Sequence, residues 1–276
     1  MLTLTDLLKY GEIEKMPIQK RRGLIREYLQ TLILFYFQQS NYAKKVIFIG
    51  GTALQFFYNT ARFSEDLDFN YLGVLKKENL EEIMIFLQKS LFKENIECDF
   101  SIHKSTETYF DFKIYIQFKN ILQFYDCSGK ISNKLHEFEK LSIQLDFQNL
   151  GRKKYPIEKK VISKFAKRFI FNTTNIDMFL AEKSNAILYR KDERARDFFD
   201  YMCLIFSGAK INLNYLVSRD ILVKSKDEYK KKILEKIKKI DFKKLTKQLS
   251  PFLFNNEDIE IMNNFQNISA DLLKKI

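Results

Sequence analysis

FIGGTALQFFYNTARFSEDLDFN, residues 48–70, decides the fold, because it packs a strand end, a glycine turn, a helix start and a second strand into one short stretch. Val46-Ile47-Phe48-Ile49 is an apolar run suited to a buried strand, and Gly50-Gly51 stops it. Thr52–Asn59 then opens a helix. The backbone N–H groups of Gly50-Gly51-Thr52, with the Thr52 hydroxyl, would face a phosphate there, helped by the helix dipole. Asp66 and Asp68 lie two residues apart, so on a strand starting at Asp66 both carboxylates leave the same face, with Cα atoms roughly 6.5 Å apart. Leu67 and Phe69 turn the other way, into a core. Two carboxylates so placed can converge on one or two Mg²⁺ ions, which polarise phosphoryl oxygens. Alone, a Gly-Gly turn is usually only a turn and an Asp-x-Asp pair usually only solvated strand edge; the order and spacing of the two carry the information.

Outward from this stretch, residues 18–40 read as a helix from the period of Leu24, Ile25, Tyr28, Leu29, Leu32, Phe35 and Tyr36, with Asn41 marking its end. A helix covers 77–93. Residues 108–118 alternate as a strand with Phe110, Phe112, Ile114, Ile116 and Phe118 on one face, and 120–126 are its expected hairpin partner. Leu141–Phe147 alternates again and sets Ser142, Gln144 and Asp146 on a polar face. From Gly151 the character changes: Arg152, Lys153, Lys154, Lys159, Lys160, Lys164, Lys167 and Arg168 are opposed only by Glu158. Beyond that point helices are expected near 176–191, 194–206, 212–222, 226–240 and 257–274. The resulting expectation is α+β: a mixed-sheet domain over 1–150 followed by a basic helical domain over 151–276.

Composition narrows the function classes. Of 276 residues, 46% are hydrophobic, enough for a substantial core and too many for a disordered tail. The net charge of +12 points to an acidic partner such as nucleic acid. Residues 1–150 hold 19 basic and 19 acidic side chains and residues 151–276 hold 28 and 16, so the whole surplus lies in the second part. Lys224–Lys247 alone carries 11 basic and 4 acidic residues, interleaved with Ile233, Ile237 and Ile240. Cys98, Cys127 and Cys203, with only His103 and His136 beside them, offer neither a disulfide framework nor a zinc site, which favours a reducing, cytoplasmic setting. The apolar runs Leu32–Phe37 and Ile83–Leu87 are far shorter than the roughly 20 residues a membrane span needs. The opening MLTLTDLLKYGEIEK has no export-signal pattern.

Two separated motifs carry a family resemblance. Gly50-Gly51-Thr52-Ala53-Leu54 followed by Arg62-Phe63-Ser64-Glu65-Asp66-Leu67-Asp68, and later Glu182-Lys183-Ser184-Asn185-Ala186-Ile187, Arg190 and Arg196-Asp197-Phe198-Phe199-Asp200, resemble the signatures of the nucleotidyltransferase superfamily with the polymerase-beta-like fold. Within it the chain resembles the AbiEii group of abortive-infection and type IV toxin–antitoxin toxins, over residues 45–206. The resemblance implies that Asp66 and Asp68 bind Mg²⁺ or Mn²⁺, and that a third acid on a neighbouring strand, for which Asp146 is the candidate, acts as metal ligand or base. It implies that Lys183 meets the triphosphate of a nucleoside triphosphate substrate and that Asp197 or Asp200, with Asp200 preferred, contacts Lys183 or the acceptor. Gly50, Gly51, Thr52, Ser64 and Arg190 complete the expected substrate-binding set. Lys183 and Arg190, seven residues apart, share a helix face. An ion-pair network is an equal reading of Asp197 and Asp200. The implied acceptor is RNA, with tRNA 3′ ends favoured, and a cognate antitoxin is an implied partner; no membrane is expected. Two alternatives stay open: a non-catalytic RNA- or antitoxin-binding member of the same fold, or a transferase acting on a protein or small molecule.

Overall fold

The computed structural model describes residues 1–105, 111–125, 140–150 and 155–276. These fall into two compact units that do not follow chain order. The first holds residues 1–53, 63–151 and 159–173. The second holds residues 54–62, 152–158 and 174–276.

In the first unit, helices α1 (Leu4–Ile13) and α2 (Arg21–Phe37) precede strand β1 (Val46–Ile49). The first turn of α3 (Gly50–Tyr58) leads on toward β2 (Leu67–Tyr71), followed by α4 (Lys77–Lys93), β3 (Cys98–Lys104), β4 (Phe112–Phe118), the short α5 (Ile121–Phe124) and β5 (Leu141–Asn149). The sheet order is β1-β2-β5-β4-β3, with β2 and β5 parallel and the other pairs antiparallel, so it is a mixed sheet. Its buried face is built from alternate residues, among them Leu67, Phe69, Ile114, Ile116, Phe118, Leu145 and Phe147. Phe37, Phe48, Phe69, Phe147 and Phe171 form an aromatic cluster, with Phe69 and Phe147 stacked at 5.0 Å. Five of the chain's 27 phenylalanines thus fill this core.

Several expectations need correction. Residues 121–124 form a helical turn, not a hairpin partner; β4 pairs instead with β3 and β5. Strand β2 begins at Leu67, one residue after Asp66, and α2 ends at Phe37 rather than Asn41. Residues 158–173 are not helical: β6 (Glu158–Lys164) and β7 (Lys167–Thr173) make a two-stranded sheet, most of which belongs to the first unit. Its turn, Phe165-Ala166, holds two non-glycine residues at φ 48° and 58°. Burial offsets that unfavourable backbone: Phe165 is 2% exposed and stacks on Tyr10 at 4.0 Å, while Lys164 pairs with Glu27 at 2.7 Å. Phe110, Cys127, His136, Arg152, Lys153 and Lys154 lie outside the described residues.

At the end of α4, Glu94 accepts hydrogen bonds from the Tyr36 hydroxyl at 2.6 Å and the Lys167 ammonium at 2.8 Å. Burial works to raise its pKa, but the hydrogen bonds from Lys167 and Tyr36 outweigh it and hold the carboxyl at about 2. A depressed carboxyl stabilises the fold above its unfolded pKa and loses that contribution as pH falls. Glu94→Gln is thus expected to cost about 1 kcal/mol at pH 7 after solvent screening. The deficit should shrink between pH 4.5 and about 2. Urea midpoints at pH 7 and pH 3 measure both.

The second unit is helical: the rest of α3, then α6 (Ile176–Tyr189), α7 (Ala195–Phe206), α8 (Leu213–Ser218), α9 (Lys226–Ile237), α10 (Phe242–Leu249), α11 (Glu257–Asn263) and α12 (Phe265–Lys274). Side-chain caps from Asn175, Asn212, Ser225 and Asp241 begin α6, α8, α9 and α10. The helix expected over 257–274 is broken at Asn264, and α10 falls where no helix is expected. Phe198, Phe242 and Phe265 pack as one aromatic group, and Ile233, Ile237 and Ile240 are buried, so the lysine-rich segment carries one apolar stripe. Among the described residues no helix is long and apolar enough to cross a membrane.

Candidate active site

In the first unit, β1 delivers the chain to Gly50, whose φ of +77° is a left-handed conformation that glycine adopts without strain. A Cβ built there would lie 1.9 Å from Asp68 Oδ2. The glycine therefore lets backbone and carboxylate pack against each other. Asp68 stands in register with Asp146 across the parallel β2–β5 pair, about 4.8 Å away in strand spacing. The polar alternation of β5 thus brings Asp146 beside Asp68, the second acid of the Asp-x-Asp pair. Gln144, on the same face, donates its amide N–H to both Asp146 oxygens at 2.8 and 2.9 Å. Lys113 is the cross-strand neighbour of Asp146 on β4. Asp66 sits just ahead of β2, half-buried, close to Arg26, which pairs with Glu65 at 3.4 Å and senses the Asp66 charge.

Thr52 differs from expectation. It is 0% exposed and its hydroxyl donates to the Asp66 carbonyl, so the side chain ties α3 to the start of β2 and is not free for a phosphate. Backbone N–H groups at the start of α3 are what the turn can offer an anion. Ser64 is buried, with its carbonyl accepting from the Gln30 amide at 3.2 Å.

The donor chemistry fits a hard divalent cation. Asp68 and Asp146 present carboxylate oxygens from neighbouring strands, and Mg²⁺ is commonly held by one or two carboxylates with water and substrate phosphates completing its shell. Among the described residues no group of three or more His, Cys, Asp or Glu is placed to hold a metal ion, so Asp66, Asp68 and Asp146 do not stand together as a ready triad.

In the second unit, Lys183 on α6, Asp197 and Asp200 on α7, Arg190 just past α6 and Arg62 beyond α3 link into one chain of ion pairs. Arg62 Nε and Nη2 donate to Asp200 Oδ1 and Oδ2, each at 2.7 Å. Lys183 Nζ lies 2.8 Å from Asp200 Oδ2 and 3.0 Å from Asp197 Oδ1, and Arg190 pairs with Asp197 Oδ2. Arg190 lies just past the end of α6 in extended backbone, so it shares no helix face with Lys183, yet both reach Asp197. Burial disfavours the Lys183 charge, but Asp200 and Asp197 outweigh it and raise its pKa above the ordinary lysine value. Burial likewise opposes the Asp200 charge, and Arg62 followed by Lys183 overcomes it, leaving a lowered pKa. Asp200 is 0% exposed, with one carboxylate oxygen on Arg62 and the other shared by Arg62 and Lys183. Both readings of Asp197 and Asp200 meet here, since the ion-pair network is built around the motif lysine. Glu182, the preceding motif residue, accepts from the Tyr155 hydroxyl, and Arg219 covers the Tyr155 ring at 5.5 Å.

Sequence reasoning assigned no role to Arg62, Gln144 or Arg26. Arg62 stood inside the quoted motif, where a cation four residues ahead of an acid pair was the available signal. His103 is exposed, 3.1 Å from the Ser101 hydroxyl and edge-on to the Tyr115 ring at 5.8 Å.

The family model of the nucleotidyl transferase AbiEii toxin, type IV toxin–antitoxin system, matches residues 32–269. Among solved structures, the nucleotidyltransferase toxin MenT4 from Mycobacterium tuberculosis is similar at 12% identity and a TM-score of 0.54, covering 100% of this chain and 91% of that one. JHP933 from Helicobacter pylori matches at 19% identity and 0.52, covering 92% of each chain. A further H. pylori protein, described as a nucleotidyltransferase, matches at 21% and 0.51, covering 92% and 95%. At these identities the likeness is one of fold. No curated protein matches the sequence.

Proposed function

Because the chain belongs to the AbiEii family, the nucleotidyl transferase toxins of type IV toxin–antitoxin systems, we propose that it transfers the NMP of a nucleoside triphosphate to an RNA hydroxyl, at a tRNA 3′ end, with Mg²⁺ or Mn²⁺ held by Asp66, Asp68 and Asp146. The observation that carries this reading is the register of Asp68 with Asp146, with Gly50 packed against the Asp68 carboxylate. When bound, the cation would neutralise triphosphate charge and polarise the α-phosphoryl group.

The chain's own residues do the rest. Backbone N–H groups of Gly50 and Gly51 hold phosphate oxygens, Ser64 shapes the turn into β2, and Lys183 and Arg190 supply cationic donors to the triphosphate. The acceptor oxygen bonds to the α-phosphorus, the bond from that phosphorus to the bridging oxygen breaks, and pyrophosphate leaves. Asp146 takes the hydroxyl proton, with Gln144 fixing its carboxylate. The setting is the cytoplasm, where triphosphates and tRNA meet, and a cognate antitoxin restrains the activity.

RNA binding is assigned chiefly to α9 and α10. Lys238 and Lys239 between these helices and Lys243 and Lys244 on α10 are exposed. In the stretch 152–168, by contrast, Lys164 and Lys167 are committed to Glu27 and Glu94. Changing these four lysines to Glu should weaken tRNA binding by at least about tenfold at 0.1 M salt and flatten its salt dependence, with nucleotide affinity retained. Gel shifts across a salt series measure this; an unchanged salt slope would place RNA elsewhere. Incubation with each α-labelled NTP and total RNA tests the acceptor. Label in protein or a small molecule would overturn the RNA assignment, and a shifted but unlabelled RNA would mean binding without transfer.

A further inference from the structure

Among the described residues, the ion pairs of this network join three cations, Arg62, Lys183 and Arg190, to two carboxylates, Asp197 and Asp200. Their exposure is graded. Arg62 and Asp200 have side chains 2% and 0% exposed, Lys183 is 13% exposed and Arg190 is 37% exposed. The cation with no route to solvent therefore lies at one end of that chain of ion pairs, and the cations able to meet a ligand lie toward the other. Without Arg62, two carboxylates would neutralise Lys183 and Arg190 completely.

We propose that Arg62 is a positioning residue for phosphate binding: its two-pronged bond to Asp200 fixes the carboxylate that aims Lys183, and its charge cancels Asp200, so that Lys183 and Arg190 keep one positive charge in excess for a triphosphate. This rests on the reading above that Lys183 receives the triphosphate. Two geometric facts support it. Both guanidinium prongs are spent on Asp200, the planar fork that only arginine offers a carboxylate. Asp200 Oδ2 is shared between Arg62 and Lys183, at 2.7 and 2.8 Å, so the position of one donor sets that of the other. A buried pair serving stability alone would not need its carboxylate shared with the motif lysine.

The probe is inorganic tripolyphosphate, which carries no base, titrated calorimetrically into the full chain with Mg²⁺ present. Arg62→Met removes the excess charge and should weaken binding by about tenfold or more. Arg62→Met/Asp200→Asn removes one charge of each sign, restores the excess and leaves no unpaired buried ion; it should recover the affinity lost with the charge but not the part due to aiming Lys183, and so bind more tightly than Arg62→Met and less tightly than wild type. Arg62→Lys keeps the charge without the fork and should fall between. Circular dichroism and thermal melting identify folded variants, and if Arg62→Met does not fold, the double variant and Arg62→Lys decide. Folded Arg62→Met within twofold of wild type, a double variant no better than Arg62→Met, or, where Arg62→Met fails to fold, a double variant far weaker than wild type would overturn the proposal. Lys183→Ala separates the two readings: wild-type tripolyphosphate binding there removes the assignment of Lys183 to phosphate, whereas lost binding there beside intact binding in Arg62→Met removes only the role of Arg62.

Discussion

Asp68→Ala should lower nucleotide transfer by about three orders of magnitude while leaving the melting temperature within a few degrees of wild type. Asp68 is half-buried at the sheet's polar face, where deleting a carboxylate opens no cavity in the core. What is lost is an oxygen donor directly opposite Asp146. Several kcal/mol of transition-state stabilisation from a metal-held phosphoryl group would go with it. Paired rate and melting measurements separate this from simple unfolding, because a destabilised protein loses both together. Transfer within tenfold of wild type in a folded Asp68→Ala protein would remove this carboxylate from the chemistry.

Gly50→Ala should damage both fold and activity, and for a different reason. A left-handed backbone with a Cβ costs about 1–2 kcal/mol before any contact is counted. The added methyl would also stand 1.9 Å from Asp68 Oδ2, a distance no real Cβ tolerates, so the carboxylate must move. A displacement near 1 Å at a reacting centre costs about a hundredfold in rate. The expected result is a melting temperature lower by several degrees together with a rate loss of about a hundredfold or more. A mild rate loss in a folded Gly50→Ala protein would show that the close approach of Gly50 and Asp68 is not needed for transfer.

How far the sequence disclosed this architecture depended on how local the signals were. The Val46–Ile49 strand, the Gly50 turn and the Asp66–Phe69 alternation were legible because each is set by residues within a few positions of one another. Asp146 was legible as a polar-face residue, since Ile143, Leu145 and Phe147 fix the phase of β5. Its register against Asp68 was not, because strand pairing is a tertiary choice. The β6–β7 hairpin was hidden for a clear physical reason: its turn is Phe165-Ala166, not the Asn-Gly or Asp-Gly that marks such turns. What holds that turn is distant, Tyr10 and Tyr28 against Phe165 and Glu27 against Lys164. With the hairpin assigned to the first unit, part of the basic surplus leaves the helical unit, and two of its lysines are already paired. Thr52 shows the opposite error, a hydroxyl that looked free in sequence and is spent on the Asp66 carbonyl. Arg62 was visible as a letter in a motif, but its carboxylate partner lies 138 residues away, and no spacing rule reaches that far.

The most direct test of nucleotidyl transfer is the fate of two labels followed side by side, α-phosphate and γ-phosphate, with Mg²⁺, total tRNA and either wild-type or Asp68→Ala protein. The account predicts that α-label enters tRNA with wild type, that γ-label appears only in pyrophosphate, and that Asp68→Ala does neither. Incorporation of γ-label into any acceptor, or undiminished α-label transfer by folded Asp68→Ala, would contradict it.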